Sequence, residues 1–249
     1  MPMAPQALQL EQFKQFIRGK RTAVLGVGIS NRPLIRFLHG LGAEITAFDI
    51  LPADDKVLAK TRADFEADGI VIDWSTGPDY LAGLAGFDLI FRTPRMRLDA
   101  LELQAEHARG AIITSEMEVF LTLCPAPVIG ITGSDGKTTT STIISEILKQ
   151  AGYTVWLGGN IGMPLLDQVE QIAPEDQVVV ELSSFQLMSM RQSCELALVT
   201  NTSPNHLDFH TDYDEYIESK INLFRNQSFM GRVVLNAQSD LLERCQAEV

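Results

Sequence analysis

The sequence is poor in several residue types whose abundance would point to a particular class of protein. It has only three cysteines in 249 residues. Cys124, Cys194 and Cys245 lie far apart, without the spacing of a zinc site or of a disulfide-rich secreted domain, so a reduced cytoplasmic setting suits them. Aromatic residues make up 7% of the chain. No apolar run is long enough to span a bilayer, so we expect no membrane insertion.

Positive charge is also scarce. The chain has 20 Lys and Arg against 32 Asp and Glu, a formal net charge of -12. This balance argues against general binding of nucleic acid or anionic membranes. The first residues, "MPMAPQALQLEQF", lack the basic start and apolar core of a signal peptide. None of these features indicates an oligomeric state.

Short apolar runs alternate with helix-like segments throughout, and hydrophobic residues make up 45% of the chain. This alternation predicts an α/β fold built on parallel sheets, with strands buried on both faces. Two prolines in "LTLCPAPVIG" indicate a boundary near residue 125. We expect an N-terminal Rossmann-like domain, 1–125, and a second, P-loop ATPase-like α/β domain, 126–249. The predicted strands lie in "TAVLGVG", "AEITAFD", "GIVID", "FDLIFR", "GAIITS", "PVIGIT", "YTVWLG", "QVVVELS", "LALVTN" and "GRVVLN".

The stretch "VIGITGSDGKTTTSTIISEIL" places glycines and a lysine between a predicted strand and a predicted helix. Gly133 and Gly136 allow a tight turn whose amides, with the helix N-terminus, point at an anion. Lys137 adds a positive charge, and Thr138 adds a hydroxyl able to reach a phosphate-bound Mg²⁺. We interpret this loop, two residues shorter than the usual motif, as a nucleoside triphosphate site; a glycine turn with a solvated lysine is the alternative. The candidate contacts are Gly133, Ser134, Asp135, Gly136, Lys137, Thr138 and Thr139.

The first predicted strand ends in "LGVGISN", which matches part of a dinucleotide-binding fingerprint. Gly26 and Gly28 match its first two glycines, but Asn31 stands in the place of the third. Asp49 ends the second strand, where an acid commonly contacts a ribose. Three interpretations stay open: NAD, a different nucleotide, which the absent third glycine favours, and a turn with no ligand.

Glu181 ends the predicted strand in "VVVELSSFQL", where a carboxylate can hold Mg²⁺ beside a phosphate loop. A capping or salt-bridged glutamate is the alternative, and the upstream phosphate loop favours the metal. Ser183 and Ser184 are either cap residues or ligand contacts. Asn160 lies in the glycine-rich "WLGGNIGMPLLD", which is either a loop suited to close ligand approach or a connection capped by the asparagine.

Two histidines and an aspartate follow another predicted strand, in "TNTSPNHLDFH". His206, Asp208 and His210 suggest a metal site or an acid–base role, but the H-x-D-x-H pattern is not specific enough to name one. A lone histidine is usually structural. A metal-dependent hydrolase built on these residues is one of the functions that stay open.

The segment "DYDEYIESKINLFRNQ" predicts an amphipathic helix with a lysine on its apolar face. Such a lysine usually extends its ammonium group to water, and the helical count alone favours this outcome for Lys220. If the side chain is buried instead, its pKa falls, and the neutral amine can react with CO₂ to form a carbamate that resembles a carboxylate ligand. The residues that share its face are Tyr213, Tyr216, Ile217, Ile221 and Phe224.

Five blocks in this order resemble the Mur ligase family: "GSDGKTTT", "GGNIGMPLL", "VVVELSSFQL", "NTSPNHLDFH" and "YIESKINLF". The resemblance covers the chain from about Lys20. It implies an ATP-dependent ligase of peptidoglycan precursor synthesis that uses ATP and Mg²⁺. The implied reaction phosphorylates the carboxylate of UDP-N-acetylmuramoyl-L-alanine, and the amine of D-glutamate then attacks the acyl phosphate.

The resemblance also implies roles for individual residues. Lys137 would neutralise the transferred γ-phosphoryl group, and Thr138 and Glu181 would hold Mg²⁺. His206 and a carbamylated Lys220 would serve a second metal. The N-terminal domain would bind the uridine diphosphate rather than NAD. The implied substrate contacts are Gly28, Ile29, Ser30, Asn31, Asp49, Asn160 and Ser183.

Two features depart from the family pattern. The loop after the fourth strand reads "RTPRMR", with Arg95 in place of the family's glycine, which puts the substrate-side geometry of that loop in question. Family members also carry a third, C-terminal domain that binds the amino acid, so we expect the chain to be a fragment or to lack that site. An NAD-dependent oxidoreductase and a non-catalytic nucleotide-binding module are the alternative functions.

Overall fold

The computed structural model describes residues 5–239, 241, 242 and 244. The chain divides into two compact units, one that runs to Val119 and one that starts at Phe120. Each unit contains one five-stranded sheet in which every strand pair is parallel, which confirms the predicted fold class. Within the described residues, no helix is long and apolar enough to cross a membrane.

The first unit alternates strands and helices along the chain. Its strand order is β3-β2-β1-β4-β5, so the first strand lies at the centre, as in Rossmann-like sheets. A one-turn 3₁₀ helix spans Tyr80–Gly83. The strands are β1 (Arg21–Leu25), β2 (Glu44–Asp49), β3 (Asp73–Thr76), β4 (Leu89–Phe91) and β5 (Ile112–Thr114). The helices are α1 (Pro5–Ile17), α2 (Asn31–Gly40), α3 (Lys56–Ala67), α4 (Leu101–Ala108) and α5 (Glu116–Leu123), which crosses into the second unit.

The second unit has the strand order β10-β9-β6-β8-β7, again with its first strand at the centre. A second 3₁₀ helix spans Leu166–Gln171. The strands are β6 (Val128–Thr132), β7 (Val155–Gly159), β8 (Gln177–Glu181), β9 (Leu196–Val199) and β10 (Arg232–Leu235). The helices are α6 (Lys137–Gln150), α7 (Ser184–Leu187) and α8 (Tyr213–Ile221).

The predicted strand "GIVID", residues 69–73, is wrong for all but its last residue, because β3 begins at Asp73. The preceding residues end α3 instead. Gly69 has a φ of +72°, and the amide of Ile70 donates to the carbonyl of Phe65 at 2.8 Å. This is a glycine C-cap closed by an apolar residue, so the helix terminus uses residues that resemble a strand in sequence.

Burial on both faces holds for the inner strands but not for the edges. Val178, Val179 and Val180 of β8 have no exposed surface. At the edge of the same sheet, Val233 and Val234 of β10 are 38% and 51% exposed. A continuous apolar run therefore predicts a strand here without predicting its place in the sheet.

Helix α6 exposes two of the apolar residues whose spacing predicts it. Ile143 and Ile147 are 53% and 61% exposed, whereas Ser141 and Ser145 are fully buried. The helix follows the phosphate loop directly and contacts β6, β7 and β8. Small side chains on the inner face let a helix approach a sheet closely, so the apolar spacing does not identify the packed face.

Cys124 and Cys194 are free, buried thiols. Burial raises the pKa of Cys124 to about 11 and that of Cys194 to about 12. Neither is therefore a reactive thiolate near neutral pH. The third cysteine, Cys245, lies outside the described residues.

Candidate functional site

The phosphate loop connects the central strand β6 to α6, and its two glycines have conformations that other residues rarely adopt. Gly133 has a φ of +145°, and a β-carbon there would lie 1.9 Å from the hydroxyl oxygen of Thr200. Gly136, with a φ of +78°, occupies the N-cap position of α6. Both glycines are thus required by the turn that points the helix N-terminus out of the sheet.

Lys137 folds back across this loop. Its Nζ donates to the carbonyl of Gly133 at 3.0 Å and to that of Ser134 at 2.9 Å. The ammonium group is therefore held directly over the turn, where a bound phosphate would meet it.

Glu181 lies at the carboxyl end of β8, is 2% exposed, and joins two other predicted site residues. Its Oε2 accepts a hydrogen bond from the Thr138 hydroxyl at 2.7 Å, and its Oε1 accepts one from the Asn160 amide at 2.9 Å. The structure thus brings a carboxylate and a hydroxyl together at the start of α6. Oxygen donors of this kind suit Mg²⁺, so the residues present fit the implied ion.

Glycines hold Asn160 against this carboxylate. The backbone amide of Asn160 donates to the backbone carbonyl of Glu181 at 2.7 Å. Gly159 has a φ of +98°, and a β-carbon there would lie 2.2 Å from the same carbonyl oxygen. Asn160 therefore does not cap a helix; the tight turn fixes it beside Glu181.

The segment after β9 binds the phosphate loop through contacts that the sequence did not reveal. The side chain of Asn201 accepts from the Asp135 amide at 2.9 Å and donates to the Asp135 carbonyl at 3.1 Å. The Ser134 hydroxyl donates to the Ser203 carbonyl at 2.9 Å and accepts from the Ser203 amide at 2.8 Å. These paired contacts fix the orientation of the loop peptides.

Lys220 is 1% exposed, so the prediction that its ammonium group extends to water is wrong. Its Nζ donates to the Gly133 carbonyl at 3.0 Å and lies 4.3 Å from the centre of the Tyr216 ring. Burial, and secondly the charge of Lys137, lower the pKa of Lys220 to about 7. The helix that carries it ends at Ile221, and Tyr216, Ile217 and Ile221 form its buried face as predicted.

The two histidines of the H-x-D-x-H pattern occupy different environments. His206 is exposed, as is Asp208, whereas His210 is 2% exposed. Nowhere in the described part of the chain do three or more His, Cys, Asp or Glu side chains form a group that could hold a metal ion. The structure therefore does not support a hydrolase metal centre built on this motif. Ser183, also predicted, caps α7 through a reciprocal contact with Gln186.

In the first unit, the predicted substrate residues lie at the carboxyl edge of the sheet but bind their own backbone. The buried Asn31 amide donates to the carbonyls of Leu25 and Gly26, at 3.1 and 2.7 Å. The carboxylate of Asp49 accepts from the amides of Val27 and Leu51, at 2.8 and 3.0 Å. These contacts shape the loop that contains Gly28, Ile29 and Ser30, in which Ile29 is 80% exposed.

A buried arginine organises the neighbouring loop after β4. Arg92 is 1% exposed, and one guanidinium nitrogen donates to the carbonyls of Thr93, Pro94 and Met96 at 3.2, 2.9 and 2.9 Å. Burial lowers its pKa to about 10, so it stays charged at neutral pH. This loop contains Arg95, where the sequence departs from the family pattern.

A cavity of about 440 Å³ lies at the opposite edge of the first sheet and contains none of the predicted site residues. Arg21 and Glu44, the first residues of β1 and β2, line it together with Asp73. Ligands of open parallel sheets bind at the carboxyl ends of the strands. We therefore place the candidate site at the loops and not in this cavity.

Comparison with known proteins identifies the class to which this site belongs. Residues 131–249 match the Mur ligase middle domain, and this match includes most of the phosphate loop, Glu181 and Lys220. Residues 131–249 therefore contain a Mur ligase middle domain.

Curated relatives narrow the similarity to one member of the family. The chain is 52% identical over 96% of its length to a UDP-N-acetylmuramoylalanine–D-glutamate ligase of Acetivibrio thermocellus, of which it covers 51%. It is 51% identical over 92% of its length to the ligase of the same name from Clostridium novyi, of which it covers 49%. The chain thus spans about half the length of these relatives.

Solved structures agree on the fold. The UDP-N-acetylmuramate:L-alanyl-gamma-D-glutamyl-meso-diaminopimelate ligase of Neisseria meningitides matches 92% of this chain and 75% of its own, with a TM-score of 0.58 and 19% identity. The UDP-N-acetylmuramate-alanine ligase of Thermotoga maritima matches 90% of this chain and 51% of its own, with a TM-score of 0.52 and 20% identity. At these identities the likeness concerns the fold alone.

Proposed function

We propose that the chain carries the UDP-substrate-binding unit, 1–125, and the nucleotide-binding unit, 126–249, of an ATP-dependent ligase. The ligase joins D-glutamate to UDP-N-acetylmuramoyl-L-alanine in peptidoglycan precursor synthesis. The observation that carries this proposal is the contact between Glu181 and Thr138 at the start of α6, beside Lys137. The names of the relatives support the substrates and do not favour an NAD-dependent oxidoreductase.

The second unit holds ATP in this proposal. Amides of residues 133–139 at the N-terminus of α6 bind the phosphates, and Lys137 leaves the loop carbonyls to contact the γ-phosphoryl group. Thr138 and Glu181 hold Mg²⁺, which when bound neutralises phosphate charge. These groups favour the transition state in which charge spreads over the transferred phosphoryl oxygens.

The reaction then proceeds in two substitutions. A carboxylate oxygen of UDP-N-acetylmuramoyl-L-alanine attacks the γ-phosphorus, and ADP leaves. The amine of D-glutamate attacks the resulting acyl carbon, and the tetrahedral intermediate releases phosphate and a proton to give the amide. Asn160 would contact the muramoyl part. His206 and the carbamate of Lys220 would hold a second metal ion, which would supply positive charge to the reacting groups.

Lys220 acts as a carbamate in this proposal. A buried amine whose pKa is about 7 is largely neutral above that pH and can attack CO₂. The product replaces the buried neutral amine with an anionic oxygen ligand. Bicarbonate should then raise metal binding in the parent chain but not in Lys220→Arg, whose guanidinium stays charged; an equal response in both would exclude the carbamate.

The first unit binds the uridine diphosphate in this proposal. The backbone amides of the loop at Gly28, Ile29, Ser30 and Asn31 bind the phosphates, and Asp49 lies near the uridine. Competition binding tests this assignment: UDP should displace a labelled UDP probe far better than NADH does. Tight NADH binding that UDP fails to displace would contradict it.

Calorimetric titration with MgATP tests the proposed function as a whole. Lys137→Ala should weaken ATP binding at least about tenfold, because the group that faces the terminal phosphate is lost. Lys149→Ala is the matched control, since Lys149 lies on the same helix in an exposed ion pair with Glu146. Equal affinity of Lys137→Ala and the parent, with unchanged thermal stability, would refute the proposal.

A further inference from the structure

The buried ring of His210 connects two helices of the second unit, and the proposed reaction assigns it no role. Its Nε2 lies 3.0 Å from the hydroxyl oxygen of Ser184, the first residue of α7. Its Nδ1 lies 3.5 Å from Oε2 of Glu215 on α8. The side chain of His210 is fully buried.

This arrangement of serine, histidine and carboxylate resembles a hydrolytic triad, but its burial excludes that role. Ser184 is 3% exposed. A nucleophile needs a free approach for its substrate, and this hydroxyl is enclosed with the ring. The contacts therefore hold α7 and α8 together.

The ring of Phe185 extends this connection to His206. Phe185 stacks on His210, with ring centres 5.8 Å apart and planes 10° apart. It also contacts the ring of His206, with centres 4.8 Å apart. Phe185 thus touches both histidine rings of the motif.

The backbone of His206 needs such support. Its φ is +54°, and it is the one residue other than glycine with a positive φ among residues 5–239, 241, 242 and 244. This region is strained for a residue with a β-carbon and persists only where surrounding contacts hold it. The His206 carbonyl accepts from the amides of Phe209 and His210, at 3.1 and 3.0 Å.

We propose that His210 is a positioning residue: through its hydrogen bond with Ser184, its close approach to Glu215 and its stacking on Phe185, it fixes His206 in its strained conformation and sets the direction of the His206 ring. The segment that contains His206 begins with the residues that bind the phosphate loop, Asn201 and Ser203. The chemical role of His206 rests on the proposed function. The placement of His206 by His210 is independent of that function.

Histidine ring signals in the NMR spectrum of the ligand-free 249-residue chain test this proposal. The chain has four histidines, so the spectrum is simple, and a His206→Gln variant assigns the signals of His206. Because the two rings lie 4.8 Å apart, we expect those signals to carry a ring-current shift from Phe185. Ser184→Ala removes the hydroxyl that contacts Nε2 of His210, and Glu215→Ala removes the carboxylate beside its Nδ1. Each variant should move the His206 signals toward those of an exposed histidine.

Ser219→Ala is the matched control. Ser219 is also 3% exposed, and its hydroxyl donates to the Tyr216 carbonyl without contacting His210. A His206 shift in either test variant, with none in the control, supports the proposal. Parent-like His206 signals in both test variants, or an equal shift in the control, would overturn it. Glu215 is 28% exposed in its side chain, so we expect this variant to fold even if the buried Ser184 does not tolerate change.

Because the measurement uses no nucleotide, its failure and the failure of the ligase proposal are distinguishable. Loss of MgATP binding in Lys137→Ala with unmoved His206 signals in the test variants would leave the ligase proposal standing and remove the role of His210. The reverse result would keep the positioning contact in a protein of another function.

Discussion

At the carboxyl edge of the first sheet, the predicted site side chains bind the protein's own backbone, whereas at that of the second sheet a buried carboxylate also binds other side chains. Asn31 and Asp49 hold the carbonyls and amides of the loops after β1 and β2. In the second unit, Glu181 binds Thr138 and Asn160. Both sheets are parallel with a central first strand, so the difference comes from side chains and not from topology.

The difference indicates how each edge would meet a ligand. Where side chains fix the backbone, the loop presents its amides in a set shape. Where a charged side chain is buried among other polar side chains, the site favours a ligand of opposite charge. We therefore expect substitutions at the first edge to change the stability of the protein, and substitutions at the second edge to change ligand binding.

The largest expected effect concerns Lys220 and the pH dependence of unfolding. The pKa of Lys220 is about 7 in the folded chain, whereas the ordinary value for a lysine, which we use for the unfolded chain, is 10.5. Between these pH values the unfolded chain binds a proton that the folded chain does not, so stability rises with pH by about 1.4 kcal/mol per unit. Across the whole window the free energy of unfolding rises by about 5 kcal/mol. Below pH 7 the destabilisation caused by burying Lys220 stays constant.

Denaturant unfolding of the parent and of Lys220→Met, in CO₂-free buffers from pH 7 to 9.5, measures this effect. The difference in unfolding free energy between the two chains should shift in favour of the parent as pH rises. A difference that stays flat over this range would show that Lys220 is charged when folded.

The second prediction removes the carboxylate at the second edge. Glu181→Ala should lower the Mg²⁺-dependent affinity for ATP by about 10- to 100-fold, because the proposed metal loses its only charged ligand in the pair with Thr138. Titration with ATP at several Mg²⁺ concentrations measures it. Asp49→Asn, at the first edge, should leave this affinity unchanged, and an equal loss there would break the comparison.

The third prediction concerns stability at the first edge. Asp49→Ala should destabilise the first unit by about 2 kcal/mol, since it leaves the amides of Val27 and Leu51 without their carboxylate acceptor. The chain has two tryptophans, one in each unit, so fluorescence in a Trp156→Phe background reports the first unit through Trp74. Asp54→Ala, in an exposed loop, should change little; a comparable loss there would argue against a specific role of Asp49.

The smallest expected effect lies on α6, away from both edges. Ile147→Lys should change the unfolding free energy by no more than about 0.5 kcal/mol, because Ile147 is 61% exposed. Ser145→Leu, on the buried face of the same helix, should cost about 1–3 kcal/mol through overpacking. Thermal unfolding of the two variants decides which face packs on the sheet; the opposite ranking would contradict the placement of α6.

The sequence predicted those parts of the fold and of the site that are determined within one short segment of the chain. The glycines and lysine of residues 133–137 and the carboxylate at the end of β8 follow from the order strand, turn, helix and from where parallel strands end. The predicted start of β3 was wrong because Gly69 and Ile70 form the C-cap of α3.

The remaining contacts join segments far apart in the chain. Asn201 binds Asp135, Ser184 binds His210, and Lys220 binds Gly133. No spacing within one segment reveals such pairs, and the burial of Lys220 depends on packing that the helical count cannot supply. The direction of a side chain at a site is therefore the part that required the structure.

The carbonyl oxygen of Gly133 accepts hydrogen bonds from both Lys137 and Lys220. With the pKa of Lys220 near 7, the pair carries about one positive charge in mildly alkaline solution. A polyphosphate at this loop would raise that pKa, so binding to the uncarbamylated chain would draw a proton from the buffer. Nucleotide affinity would then strengthen as pH falls toward 7, and the heat of binding would vary with the ionisation enthalpy of the buffer.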